Sequence, residues 1–75
     1  MDCYKFIQDE KVTLHLMPDN GFVHFSVFYG DDLFKKRRIT IEEARDYWNL
    51  FKKNRYPLTK IKVSKNFLGY CQFED

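Results

Sequence analysis

Apolar and polar residues alternate through two early segments of the chain. In residues 11–17, KVTLHLM, Val12, Leu14 and Leu16 share one face. In residues 22–29, FVHFSVFY, the shared face carries Val23, Phe25, Val27 and Tyr29. A period of two is the signature of a strand with one side buried. Between the segments stands Pro18-Asp19-Asn20-Gly21. Asn-Gly favours positive φ at both central positions and so a type I′ hairpin turn. With Asn20-Gly21 as a two-residue loop, Leu16 lies opposite Phe25, Leu14 opposite Val27 and Val12 opposite Tyr29. Turn chemistry and alternation agree on this register. The same register puts His15 opposite Ser26 and His24 opposite Met17, on the outward face, as diagonal neighbours.

Gly30-Asp31-Asp32 reads as a second turn, and residues 33–39, LFKKRRI, as a third strand. Leu33 and Ile39 would share their face with Lys35 and Arg37, so this strand is expected at an edge or to be irregular. Charged edges also discourage sheet-to-sheet aggregation. From residue 41 the period changes to that of a helix. Ile41, Ala44, Tyr47, Trp48 and Phe51 form an apolar stripe, with Leu50 at its margin. Thr40 is an N-cap and Glu43 completes a capping box. Glu42 and Glu43 suit the positive end, and Lys52 and Lys53 the negative end. Asn54 and Pro57 stop the helix at about residue 54. Residues 59–63, TKIKV, then alternate, Ser64-Lys65-Asn66 is turn-like, and residues 67–73, FLGYCQF, read as a final strand. Residues 4–8 are expected to add a short first strand paired with that last one. The expectation is a single α+β domain over residues 1–75. It has a small twisted antiparallel sheet of two hairpins, four or five strands in all, packed on one helix.

Composition supports a folded chain. The 75 residues include eight Phe, five Tyr and one Trp. A domain this small buries only roughly 60–65% of its unfolded surface, and large aromatic rings supply area where residues are few. Disordered chains lack such residues. No apolar run approaches the roughly 20 residues that span a bilayer. The first ten residues lack the basic start and apolar centre of an export signal. Cys3 and Cys71 are therefore expected as free thiols in the reducing cytoplasm, although chain ends that meet would also allow a disulfide.

Charge is segregated. Residues 1–34 carry a balance of −4, residues 35–65 a balance of +8, and Glu74 and Asp75 bring the chain to +2. Such a basic middle points to an anionic partner; a solvated surface in which the charges mix again on folding is the plainer reading. Lys35-Lys36-Arg37-Arg38 leads directly into the helix N-terminus behind Thr40, where free N–H groups favour anions. Phe22 and Phe28 are positioned either to stack bases or to form a second, smaller core closed by the terminal strands.

Other chemistries find less support. The three glycines are isolated, so no phosphate-cradling loop exists. Two Cys and two His have zinc-ligand chemistry but not zinc-ligand spacing. The two histidines read instead as inert surface imidazoles. Asp31-Asp32 with Glu42-Glu43 has the chemistry for a hard cation, but carboxylates are also ordinary at turns and helix starts. A Cys3 or Cys71 with His15 or His24 is the one conceivable nucleophile and base. No cofactor and no catalysis are expected.

Two likenesses bear on function. Residues 37–50, RRITIEEARDYWNL, resemble a helix of small uncharacterised cyanobacterial proteins, with its basic pair, Thr cap, Glu-Ala and Trp. Those proteins carry no assigned activity, so this adds no mechanism. A sheet followed by one helix is similar in order to plant AP2-type and integrase arm-type DNA-binding domains, which implies a sheet laid in the major groove. Both function classes are non-catalytic. One is a nucleic-acid-binding module using Lys35, Lys36, Arg37, Arg38, Lys52, Lys53 and Arg55 on phosphates. The other is a protein-binding regulator or inhibitor, of bacterial or phage type, that meets an acidic protein surface through aromatic and charged residues.

Overall fold

Thr40 ends a strand and caps a helix with no loop between, and this joint sets the architecture. The structure is a computed structural model and describes residues 1–70. Its elements are β1 (Asp2–Ile7), β2 (Val12–Asp19), β3 (Phe22–Tyr29), β4 (Asp32–Thr40), α1 (Ile41–Lys53) and β5 (Leu58–Lys62). The strands form one antiparallel sheet in the order β4-β3-β2-β1-β5. The protein is thus a small α+β fold, an open five-stranded sheet packed with one helix.

The first hairpin has the register the sequence predicts. Leu16 pairs with Phe25, Leu14 with Val27 and Val12 with Tyr29. Asn20 and Gly21 both take positive φ, 49° and 85°, as a type I′ turn requires. The capping box at Thr40 and Glu43 is also present, with Glu43 N–H donating to Thr40 Oγ1 and Thr40 N–H to Glu43 Oε1.

Helix α1 lies across one face of the sheet. Phe6, Leu14, Leu16, Val23, Phe25 and Ile39 from the strands meet Ala44 and Phe51 from the helix. Trp48 meets Tyr4 and Phe6 edge-on, and Tyr47 stacks on Phe25 at 4.7 Å between centroids. Burying an aromatic ring of this size contributes about 2–3 kcal/mol. The chain leaves the helix through paired end bonds, Tyr56 N–H to Phe51 O and Arg55 N–H to Lys52 O. Arg55 has φ 60° there, in the position usually given to glycine. Tyr56 packs back on Phe51, completing the motif.

Three expectations are corrected. First, His15 and His24 are not surface imidazoles. They are buried on the second face with Cys3, Met17, Ser26 and Phe28. Second, the tail does not return as a hairpin among the described residues. β5 pairs with β1, and residues 64–70 make successive turns instead of a strand. Those turns are held by the second face. Phe67 stacks on His15, Tyr70 packs on His24, and Ser26 Oγ–H donates to Gly69 O at 2.6 Å. The rest of the expected final strand, with Cys71, lies outside the described residues. Third, Leu33 and Ile39 do not share a face. The β3–β4 register slips between Val27 and Phe28, so Lys35 pairs with Val27 but Leu33 with Phe28. Phe34 is the extra residue of a bulge, and a bulge reverses which face each later residue takes.

Candidate nucleic-acid interface

β4 is an edge strand, paired with β3 alone. Beyond the bulge its side chains alternate. Lys35 and Arg37 stand opposite Val27 and Phe25, on the helix side of the sheet. Lys36 and Arg38 stand opposite Ser26 and His24, on the side covered by residues 64–70. All four are exposed. The run is therefore a ridge with two cations to each side. Arg38 also lies over the ring of Phe22, 4.7 Å from its centroid.

The sheet has two basic edges, and they differ in partners. On β5, Lys60 and Lys62 both pair with Asp2 of the neighbouring strand. The hydrogen bond from Lys62 holds the Asp2 carboxyl below its ordinary value, and Asp2 in turn raises Lys62. On β4, Lys35, Lys36 and Arg37 enter no ion pair among the described residues. Asp31 and Asp32 precede the run, Glu42 and Glu43 follow it, and none of these carboxylates forms a salt bridge with Lys35, Lys36 or Arg37 among the described residues.

Lys52, Lys53 and Arg55 form a separate group. α1 runs back from the Thr40 end, and Phe51 sits between Phe6 of β1 and Phe25 of β3. The helix therefore finishes over the middle of the sheet, while β4 lies along its edge. Asp9, Glu10, Asp31 and Asp32 occupy the turns at that same end. The structure thus keeps Lys35–Arg38 together and places the other three cations apart, beside an acidic rim.

The aromatic residues also divide. Phe28 is buried against His15 and Phe67, the second-core fate considered for it. Phe22 remains 42% exposed at the other end of β3. Phe34, which the sequence reading did not single out, is 77% exposed. Its signal was present in the poor alternation of residues 33–39. A strand that puts two apolar residues in phase with two cations is asking for one extra residue.

The conceivable nucleophile and base do meet. Cys3 Sγ lies 3.5 Å from His15 Nδ1 in the second core. Burial pushes the thiol up to about 12, and burial with the charge of Lys5 holds His15 down to about 4. Both are neutral at pH 7, the reverse of an activated thiolate. No group of three or more metal-ligating side chains occurs among the described residues. The Asp31-Asp32 and Glu42-Glu43 pairs are separated by the length of β4, about 25 Å. Among the described residues no helix is long and apolar enough to cross a membrane. Neither sheet face is bare: α1 covers one, and residues 67–70 cover the centre of the other. Compared with family models, curated proteins and solved structures, the chain matches none.

Proposed function

We propose that this protein is a non-catalytic module that binds a polyanion, nucleic acid before others, along the β4 edge. The observation that carries this is the contrast between the two edges. Lys60 and Lys62 share the carboxylate of Asp2, which offsets one of their two charges, whereas Lys35, Lys36 and Arg37 have no salt-bridge partner among the described residues. Four adjacent exposed cations on one edge strand form the kind of electrostatic footprint that phosphate backbones bind. The neutral state of Cys3 and His15 supports a non-catalytic reading. A buried thiol suits the reducing cytoplasm, where we place it.

Titration of a labelled oligonucleotide against salt tests the proposal. Log affinity should fall linearly with log salt, by roughly 0.7–0.9 per phosphate neutralised. Lys36→Glu with Arg37→Glu should flatten that slope by roughly 1–2 and weaken binding at every salt concentration. A regulator that docks on an acidic protein is the alternative. It predicts no oligonucleotide binding, and affinity for a protein that depends on apolar surface more than on salt.

A further inference from the structure

We infer that the ligand of the β4 edge is single-stranded nucleic acid, with Phe34 as the ring on which one base stacks. This rests on the polyanion reading above and narrows it. Phe34 is the most exposed large apolar side chain among the described residues. Its exposure has a structural cause. The bulge leaves it opposite no residue of β3, so it is not aligned with the Val27 and Phe28 rows on either side. Bulges re-aim side chains in this way, often at functional sites. Lys35 follows it directly, with Lys36 and Arg37 next along the ridge.

An unpaired base offers a free π face to such a ring, and stacking of this kind tolerates any sequence. Bases in a duplex are stacked on each other, and reaching one requires partial unstacking. Shape points the same way. With both sheet faces covered, a duplex cannot lie on the sheet as it does on flat-sheet readers. The cations alternate to either side of a ridge. A flexible single strand can bring successive phosphates to both sides, whereas a duplex, stiff over about 150 base pairs, meets one side at a time.

The test is fluorescence anisotropy at about 50 mM salt with an oligo(dT) of about twelve nucleotides and a duplex of the same length. Wild type, Phe34→Ala and the Lys36→Glu/Arg37→Glu double variant are compared. The single strand should bind wild type at least roughly tenfold more tightly than the duplex, and Phe34→Ala should lose roughly tenfold on the single strand alone. The double variant should lose both ligands. Phe34 is exposed, so its replacement should leave the thermal midpoint unchanged, and a melt verifies this. Equal affinity for the two ligands, or an unchanged single-strand affinity in Phe34→Ala, overturns the single-strand inference and leaves the polyanion reading intact. Failure of wild type to bind either oligonucleotide overturns both.

Discussion

His15 shows how one residue's surroundings reverse its expected role. It is stacked on Phe67, tilted against Phe28 and 3.5 Å from Cys3 Sγ. Burial, with Lys5 nearby, holds its folded pKa at about 4 against 6.5 in an open chain. The unfolded chain therefore takes up a proton below pH 6.5 that the folded chain refuses until about pH 4. Stability falls as pH drops through that window, by about 2 kcal/mol between pH 7 and pH 5. His15→Phe, which keeps a ring and removes the titration, should flatten the dependence. Urea unfolding at the two pH values measures it. Asp19 adds a loss at lower pH, because hydrogen bonds from His24 and then Tyr70 hold its carboxyl below the ordinary value.

At the scale of elements, the helix begins on favourable chemistry and ends on unfavourable chemistry. Its start has a complete capping box, while Arg55 at its end takes a left-handed conformation with φ 60°. A residue with a Cβ is strained there by roughly 1–2 kcal/mol, and glycine's larger unfolded-state entropy offsets part of the relief. Arg55→Gly should raise the unfolding free energy by about 0.5–1 kcal/mol, read from the urea midpoint. Arg55 lies away from β4, so the same change should leave oligonucleotide affinity nearly unaltered. A larger loss of affinity would extend the interface to the helix end. β4 shows a second compromise. Its cations disfavour pairing of this nine-residue edge with another copy, since like charges opposite one another repel.

For the whole molecule, the sheet supports two cores, and the second depends on a segment with no regular structure. Gly69 is the close point of that contact. A Cβ there would stand 2.5 Å from Ser26 Oγ and 2.7 Å from the Phe67 ring. Ser26 is buried and already bonded to Gly69 O, so the ring or the backbone must move. Gly69→Ala should loosen residues 64–70 from the sheet and uncover His15 and His24, whose ring N–H protons would then exchange faster with solvent by NMR, and His15 should titrate above the value of about 4 that burial imposes on it. The helix-side core should remain, leaving far-ultraviolet circular dichroism nearly unchanged. Loss of all structure in this variant would instead make the two cores one cooperative unit.

Local chemistry alone determined the first hairpin, the capped helix and the α+β class. An Asn-Gly turn, period-two alternation and an apolar stripe at helical spacing each act over neighbouring residues, and all pointed to the same elements. It also put four cations on one strand destined for an edge. What only the tertiary structure decided was long-range. β5 chose β1 over the tail, Asp2 paired with Lys60 and Lys62 while Lys35, Lys36 and Arg37 at the opposite edge have no salt-bridge partner among the described residues, and residues 67–70 closed over two histidines that alternation had placed outside. The bulge at Phe34 belongs with these. It depends on how β4 fits against β3, because burial of Leu33 on one side and Ile39 on the other is satisfied only when both strands are present.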